Sequence, residues 1–249
     1  MSQVPAATRT LQVLRFLAGQ ADPVPLERIM RACHLPRSTA YHLVDAMIEQ
    51  GFVVHLADDR RYGLGVAAFE VGSGYGQQAP LQRIARRPLG QLVDRTGHSA
   101  HLAVLHGRDV LYVLEERAPG RPPLVTDVGV RLPAHLTASG RAILAALPAA
   151  QVRALYPDRS AFVDRTGVGP QSLTALRSLL AETRRRGHAR EDGEVTAGLA
   201  SVAAPVLDHN DHPVAGVALT WPVGEGEADG LAGAVSEIAE LVSRRLRGR

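Results

Sequence analysis

Five polar residues at the start of one predicted helix have side chains suited to binding nucleic acid. They are Arg37, Ser38, Thr39, Tyr41 and His42. Guanidinium and hydroxyl groups can bond phosphate oxygens or base edges, and a DNA-reading helix presents its N-terminal residues and the positive end of its dipole to the groove. The alternative to DNA binding is that these residues form the polar, solvent-exposed face that every amphipathic helix has. The density of hydrogen-bonding side chains before the first acid, Asp45, favours contact with DNA.

A second basic pair, Arg60 and Arg61, lies on a predicted hairpin turn. Arginine at such a turn can reach phosphate or the minor groove of DNA. The acids Asp58 and Asp59 precede the pair, so an exposed turn that neutralises its own charge is the alternative. The sequence predicts that this turn touches DNA beside the helix.

Three short helices and a hairpin are predicted to position these residues. Apolar residues recur at helical spacing, for example Leu26, Ile29 and Met30 in the second helix. The predicted helices cover 10–18, 26–33 and 37–50, and the predicted strands cover 52–56 and 61–64. Three helices followed by a two-stranded wing are typical of a winged helix-turn-helix domain.

The rest of the chain has a different pattern. Residues 66–80 are small and glycine-rich and are interpreted as a connector, in which Gly72, Gly74 and Gly76 are either hinges or close-packing positions in a dimer. Beyond it, helices are predicted at 81–95, 137–146, 151–156, 172–186 and 231–246, and strands at 99–105, 110–116, 124–128, 201–207 and 213–220. Helices flanking one mostly antiparallel sheet make the fold class α+β. The predicted domains are 1–65, 66–80 as connector, and 81–249.

Composition excludes several classes of protein. The chain has 249 residues, and its single cysteine, Cys33, rules out an internal disulfide and cysteine-based zinc. It contains no apolar run of about 18 residues and no secretory signal, so a cytoplasmic protein without membrane contact is expected. All 28 basic residues are arginine, but the net charge of +3 is mild and does not by itself indicate a nucleic-acid binder.

The sequence offers little for catalysis. The pairs His98/His101 and His209/His212 lack a third metal ligand nearby. The segment Ser139-Gly140 lacks the Gly-x-Ser-x-Gly setting of a serine nucleophile, and the glycines near residue 74 have the wrong spacing for a phosphate loop. We therefore expect no enzyme activity, metal or cofactor. The alternative is an enzyme whose winged helix serves as a docking module.

Several segments, in order along nearly the whole chain, make the sequence resemble the IclR-type family of bacterial transcriptional regulators. They are Leu-Pro-Arg-Ser-Thr-Ala-Tyr-His-Leu at 35–43, Glu-Gln-Gly-Phe-Val at 49–53, Tyr-Gly-Leu-Gly at 62–65, Val-Arg-Leu-Pro-Ala-His-Leu-Thr-Ala-Ser-Gly-Arg-Ala at 130–142, and the matches within 186–206. The resemblance implies an N-terminal winged helix, a C-terminal GAF-like effector-binding domain, and dimers or tetramers that bind palindromic operators.

The resemblance also implies which residues bind the effector. They are Ala138, Ser139, Glu191, Ser201, Ala218 and Thr220. The chain departs from the family pattern where Ser201 replaces a common cysteine, Ala218 replaces a hydroxyl residue, and Trp221 replaces a small one. These changes suggest a larger or more apolar effector, an organic acid or an aromatic metabolite, although Trp221 can equally be a core residue.

The expected function is a DNA-binding transcriptional regulator controlled by a small metabolite. We expect a homodimer or homotetramer whose two recognition helices enter major grooves roughly 34 Å apart or a multiple of that. The effector shifts the population between arrangements that do and do not match this spacing. Besides the enzyme, a winged helix that mediates only protein contacts remains an alternative.

Overall fold

The N-terminal unit of the chain, Met1–Gln78, contains the helices and the wing. The computed structural model describes residues 4–78, 80–120, 124, 126–226 and 228–248. Within this unit lie α1 (Pro5–Ala18), β1 (Val24–Pro25), α2 (Leu26–Cys33), α3 (Arg37–Glu49), β2 (Val53–Leu56), β3 (Arg61–Leu64) and α4 (Val66–Gln78). The strands form an antiparallel sheet in the order β1-β3-β2.

One apolar cluster holds this unit together. Val13 of α1, Ile29 of α2 and Val44 of α3 are almost fully buried in it. Between α2 and α3 the chain reverses through His34, which takes a left-handed conformation with φ of 52°. Helix α3 then starts after Pro36. The predicted winged helix-turn-helix is confirmed, and α2 has the bounds that its apolar spacing predicts.

The predicted connector is helical over most of its length. Helix α4 continues through Gln78, and Gly72, Gly74 and Gly76 lie within it. Because the chain divides between Gln78 and Ala79, α4 belongs to the N-terminal unit. The role of 66–80 as a connector, and of its glycines as hinges or packing positions, stays a prediction.

The second unit, Ala79–Arg249, is built on a six-stranded antiparallel sheet in the order β6-β5-β4-β9-β8-β7. Its strands are β4 (Ser99–His106), β5 (Asp109–Glu116), β6 (Arg131–Pro133), β7 (Ala189–Asp192), β8 (Leu199–Leu207) and β9 (Pro213–Pro222). Its helices are α5 (Pro80–Thr96), α6 (Ala138–Ala146), α7 (Ala149–Leu155), α8 (Leu173–Arg186) and α9 (Ala228–Leu246), with a short 3-10 turn at Arg159–Ala161. No helix among the described residues is long and apolar enough to span a membrane.

Helices cover both faces of this sheet. On one face, α5 and α9 bury residues such as Leu92 and Ile238 against Leu102 and Leu219 of the sheet. On the other face, α6 packs on β8 and β9, and α8 packs on α6. Because successive strand residues point to opposite faces, each strand contributes alternately to the two layers. The α+β class is confirmed.

The strands differ from the sequence prediction at 124–128 and at the short strands β1, β6 and β7, which were not predicted. The described residues of the predicted strand 124–128 are not in a strand, and Val128 is exposed. The chain turns there, since Gly129 has a φ of 89° and donates its N–H to the Tyr112 carbonyl. The third strand on this side is β6, paired with β5. Strand β7 was not predicted, because its Ala-Arg-Glu-Asp sequence is short and mostly charged.

Candidate functional site

Helix α3 exposes most of the residues predicted to read DNA. Arg37, Ser38, Tyr41 and His42 are exposed and Thr39 is half-buried. The Arg37 guanidinium lies 5.7 Å from the centre of the Tyr41 ring, a cation–π distance. Hydrogen bonding to Tyr41 raises the pKa of Arg37. The start of α3 thus presents a positive, hydrogen-bonding surface to solvent.

The two wing arginines have different surroundings. Arg61 donates from Nη1 to the Pro23 carbonyl at 3.1 Å, which ties it to the start of β1. Arg60 takes a left-handed conformation with φ of 52° at the turn and is exposed. Among the described residues neither forms an ion pair with Asp58 or Asp59. The turn therefore does not neutralise itself by direct pairing, and Arg60 is available to a ligand.

The six residues predicted to bind an effector line one pocket. It lies between α6 and the sheet, on the face opposite α5 and α9. The lining adds residues that the sequence did not single out for this role: Tyr112, Leu124, Thr126, Thr137, Val195, Thr196 and Leu199. As described, the pocket has an accessible volume of about 20 Å³, enough for about one water molecule. A larger ligand needs the walls to move.

A row of three polar side chains crosses the floor of this pocket. Glu191 of β7 is directly opposite Ser201 of β8, which is directly opposite Thr220 of β9. Cross-strand neighbours on one face lie within reach of each other. The Ser201 hydroxyl donates to Glu191 Oε1 at 2.9 Å and lies 3.0 Å from Thr220 Oγ1. The register of three strands thus places a carboxyl and two hydroxyls side by side.

The N-terminus of α6 forms the opposite wall. Thr137 caps the helix by accepting the Gly140 N–H at 3.0 Å. The N–H groups of Ala138 and Ser139 open the helix and so lack helical acceptors. Ser139 Oγ is fully buried and has no partner of hydrogen-bond geometry among the described residues, although Ser139 interacts with the Tyr112 phenol. This wall offers backbone N–H donors and the buried Ser139 hydroxyl.

Gly140 brings this wall against the backbone of the preceding segment. A Cβ at this position would lie 2.2 Å from the Ala134 carbonyl oxygen and 2.5 Å from Ala134 Cα. Real side chains are never so close to backbone atoms. The glycine is therefore required for the approach that holds the start of α6 over the sheet.

A buried, neutral histidine lies behind the edge of the pocket that Tyr112 and Thr126 form. His101 Nε2 lies 3.3 Å from Thr126 Oγ1, and the His101 ring meets Tyr112 edge-on. Burial lowers the pKa of His101 to about 3 and raises that of Tyr112. Both side chains are therefore uncharged at neutral pH. Tyr112 and Thr126 were missed from the sequence, because only the strand register and the fold of residue 126 over the sheet reveal them.

Glu191 is the acidic group of the pocket. Its Oε2 accepts the N–H groups of Glu194 and Val195 at 3.2 and 3.4 Å. Burial raises the pKa of Glu191 to about 7, and the charge of Glu194 adds to the rise, against the opposing effects of Ser201 and Arg141. Near neutral pH the carboxyl is therefore partly protonated, and it can donate as well as accept a hydrogen bond.

The raised pKa makes protonated Glu191 a source of stability that is lost as the pH rises. In the folded state the Glu191 carboxyl keeps its proton to about pH 7, whereas the pKa of an ordinary glutamate is 4.5. The free energy of unfolding therefore declines as the pH rises between these two values, and it stays at the lower level above them. We expect Glu191→Gln to flatten this decline by up to about 1.4 kcal/mol per pH unit, the contribution of one proton. Urea unfolding followed by the fluorescence of Trp221 at several pH values measures it. Glu240→Gln, on the exposed side of α9, is the control, and equal slopes for both variants would contradict the prediction.

Arg141 is a buried cation beneath the pocket. It donates to the His135 carbonyl at 2.8 Å, to the Arg190 carbonyl at 2.7 Å and to Glu194 Oε1 at 2.8 Å. Glu194 in turn accepts the Asp192 N–H. Arg141 thus connects α6 with β7 and the segment after it. The sequence did not reveal this role, since an arginine on a short helix is normally solvated.

Trp221 does not contact the pocket. It is buried in the apolar layer beneath α9, and its indole N–H donates to the Gly226 carbonyl at 3.1 Å. Thr220 faces the pocket, so its neighbour in β9 must face away. The expectation that Trp221 makes the effector site larger or more apolar is therefore wrong. Trp221 packs in the core of the C-terminal unit.

Metal binding finds no support in the described part of the chain. No group of three or more His, Cys, Asp and Glu side chains there could hold a metal ion. His101 is engaged with Thr126 and Tyr112, and His209 contacts the Asn210 amide at 3.0 Å.

Two family models match the sequence and together span most of it. The model described as bacterial transcriptional regulator IclR C-terminal matches residues 74–244. The model described as IclR helix-turn-helix domain matches residues 6–57. The first contains the pocket, and the second contains α3.

Individual proteins resemble the chain over nearly its full length. The glycerol operon regulatory protein of Streptomyces coelicolor is 35% identical over 96% of this chain and 94% of its own length. The transcriptional repressor IclR of Escherichia coli is 30% identical over 89% of this chain and 81% of its own. A crystal structure of an IclR homologue from Microbacterium hydrocarbonoxydans, complexed with 4-hydroxybenzoate, has the same fold, with a TM-score of 0.83, 23% identity, and coverage of 98% of this chain and all of that one.

Proposed function

This chain belongs to the IclR family of bacterial transcriptional regulators, and from that premise we propose which of its residues read DNA and which sense the effector. It is a regulator with a DNA-binding helix-turn-helix and a C-terminal effector domain. The proposed DNA contacts are Arg37, Ser38, Thr39, Tyr41, His42, Arg60 and Arg61. The proposed effector contacts are Ala138, Ser139, Glu191, Ser201, Ala218 and Thr220. We further propose that it acts in the cytoplasm, where it has access to chromosomal DNA.

The exposed start of α3 supports the DNA contacts. Its helix dipole and the Arg37 guanidinium both favour phosphate, while Tyr41 and His42 extend toward solvent from the same helix. Arg60 adds an exposed charge on the wing. The contact of Arg37 with the Tyr41 ring limits the conformations of the guanidinium, which lowers the entropy lost on binding.

Replacement of Arg37 by alanine is expected to weaken binding to all DNA. Each lost phosphate contact reduces the slope of log affinity against log salt by about one unit. Fluorescence anisotropy with DNA from upstream of the gene and with scrambled DNA, each at several salt concentrations, measures both affinity and slope.

The matched control for this experiment is Arg153→Ala, an exposed arginine on α7. It should leave affinity and slope unchanged. An unchanged slope in the Arg37 variant would overturn the phosphate contact. Absence of any salt-dependent binding by the parent protein would overturn the proposed function and favour a winged helix that binds only protein.

The pocket supports control by a small molecule. The single observation that carries this is the row Glu191–Ser201–Thr220, which places buried hydrogen-bonding groups around a space beside the open N-terminus of α6. Buried polar groups that converge on a cavity are typical of ligand sites. An effector that binds one arrangement of the regulator more tightly shifts the population toward it. Factors of roughly 5–150 are typical of such coupling.

We also propose a homodimer or homotetramer. Phe69 and Val66 of α4 are 75% and 71% exposed. Large apolar side chains left in solvent favour coverage by another protein surface, and two copies supply the paired recognition helices that a palindromic operator requires. Sedimentation of the purified protein separates monomer, dimer and tetramer.

A further inference from the structure

A groove on the surface of the C-terminal unit lies between α7 and α8. Its volume is about 420 Å³, far more than that of the pocket between α6 and the sheet. Its floor is apolar, because Val152 of α7 and Leu180 of α8 line it and are almost fully buried. Ala149 and Ala181 also line it and are exposed. The groove therefore has an apolar floor and is open to solvent.

Two arginines of α8 make the groove positively charged. Arg177 and Arg184 both line it, both are exposed, and neither forms an ion pair within the described part of the chain. Among the described residues, no Asp or Glu lines the groove beside them. Arg184 donates from Nε to the Ala145 carbonyl at 2.6 Å. This hydrogen bond holds the guanidinium in place and leaves its two terminal nitrogens for a carboxylate, at a reduced entropic cost of binding.

The spacing of the two arginines matches a helical partner. Arg177 and Arg184 are seven residues apart, so about 10 Å separates them along the axis of α8. We propose that the groove is a docking site for an acidic amphipathic helix of a partner protein, whose carboxylates, also seven residues apart, pair with the two arginines. Apolar side chains on the same face of that helix cover the floor. This is helix-in-groove recognition, in which the anchoring residues recur at helical spacing.

The shape and charge of the groove disfavour other occupants. A small-molecule site normally buries most of the surface of its ligand, whereas this groove has a mostly exposed lining. A nucleic acid would pair its phosphates with the arginines but would bring no apolar side chains to the floor. A second copy that presented the same groove would place its own arginines opposite these, and opposed like charges are costly.

The inference goes beyond the proposed function, because it involves neither α3 nor the pocket between α6 and the sheet. A partner that docks between α7 and α8 would add a protein contact to a regulator that binds DNA and a small molecule. Loss of this contact would leave both of those activities intact.

A synthetic helical peptide tests the groove on the full-length protein. The probe has about 16 residues, with two glutamates seven positions apart and leucines and alanines on the same face. A matched peptide has glutamine in place of both glutamates. We expect the acidic peptide to bind about five-fold or more tightly than the glutamine peptide, and we expect the difference to shrink as salt rises. Fluorescence anisotropy of the labelled peptides measures both affinities.

Arg177→Glu locates the effect. The Arg177 side chain makes no hydrogen bond or ion pair within the described residues, so its replacement should leave the fold intact while removing most of the preference for the acidic peptide. Arg185→Glu is the matched control, because it makes the same change of charge at an exposed position of α8 outside the groove. Its preference should stay close to that of the parent. Urea unfolding followed by Trp221 fluorescence checks that both variants fold alike.

Several outcomes would overturn the acidic-helix partner. Equal binding of the two peptides, or binding of neither at millimolar concentration, would do so, as would equal losses in Arg177→Glu and Arg185→Glu. A changed oligomeric state of Arg177→Glu in sedimentation would assign the groove to a second copy of the chain. Weaker operator binding by Arg177→Glu than by Arg185→Glu would assign it to DNA. In each case, selective and salt-dependent operator binding by the parent protein would leave the proposed function standing.

Discussion

Replacement of Arg141 by alanine is expected to lower the free energy of unfolding of the C-terminal unit by about 3–5 kcal/mol. The side chain is 3% exposed and makes three hydrogen bonds, two of them to buried acceptors and one to the partly buried Arg190 carbonyl. Its removal leaves two carbonyls and the Glu194 carboxylate without their donor. An uncompensated buried charge is among the most damaging consequences of a single substitution.

Trp221 makes this prediction measurable in the unit concerned. It is the only tryptophan of the chain and is buried in the C-terminal unit. Its fluorescence during urea unfolding therefore reports on that unit and not on the winged helix. The expected result is a lower midpoint with little change in slope.

An exposed ion pair in the same unit is the control. Arg86 lies 3.3 Å from Glu116 and its side chain is 69% exposed, so Arg86→Ala should cost about 0–1 kcal/mol. The double variant Arg141→Ala/Glu194→Gln should be more stable than Arg141→Ala alone, because it no longer buries an unpaired carboxylate. Equal effects of Arg141→Ala and Arg86→Ala would show that the buried pair contributes nothing beyond a surface pair.

Gly140→Ala is expected to cost about 3 kcal/mol or more, at the upper end of overpacking effects. The added methyl group would overlap the Ala134 carbonyl oxygen and Cα, which are backbone atoms and cannot rotate away. Helix α6 must therefore shift away from residue 134. This shift also moves Ser139, so effector binding should be lost even where the domain still folds.

Gly90→Ala supplies the matched control. Gly90 lies within α5 and has open space where a Cβ would be placed. Alanine is favoured over glycine in a helix by about 1 kcal/mol, so this variant should be neutral or slightly more stable. Urea midpoints from Trp221 fluorescence compare the two variants. A Gly140 variant as stable as the Gly90 variant would show that α6 tolerates the displacement.

Periodic apolar spacing predicted the helical elements well. Helix α2 has its predicted bounds, and α3 ends one residue earlier than predicted, at Glu49. Each of these helices buries one stripe of apolar residues, and the helical spacing of those residues can be recognised in the sequence. Strand β7 is the counterexample, since its fold depends on pairing with β8 and not on its own charged residues.

The candidate pocket was predicted only in part. Motif resemblance placed six residues, and all six line the cavity. The sequence could not show that Ser201 bridges Glu191 and Thr220, because that contact depends on the register of three strands. Trp221 was ambiguous for the same reason. One position along β9 separates the pocket from the apolar layer, and only the register decides which side a residue takes.

Because β4 pairs with β9, the sheet of the C-terminal unit cannot close until β9 has been synthesised. Neighbouring strands of the described sheet otherwise follow one another in sequence, but Ser99 pairs with Thr220, a closure across more than about a hundred residues. The ribosome makes about 5–20 residues each second, so the winged helix is complete while β9 has not yet been made. During that interval β4 and β5 can pair with each other, but the edge of β4 that pairs with β9 has no partner strand. The DNA-reading unit is therefore synthesised before all the strands that line the effector pocket are present.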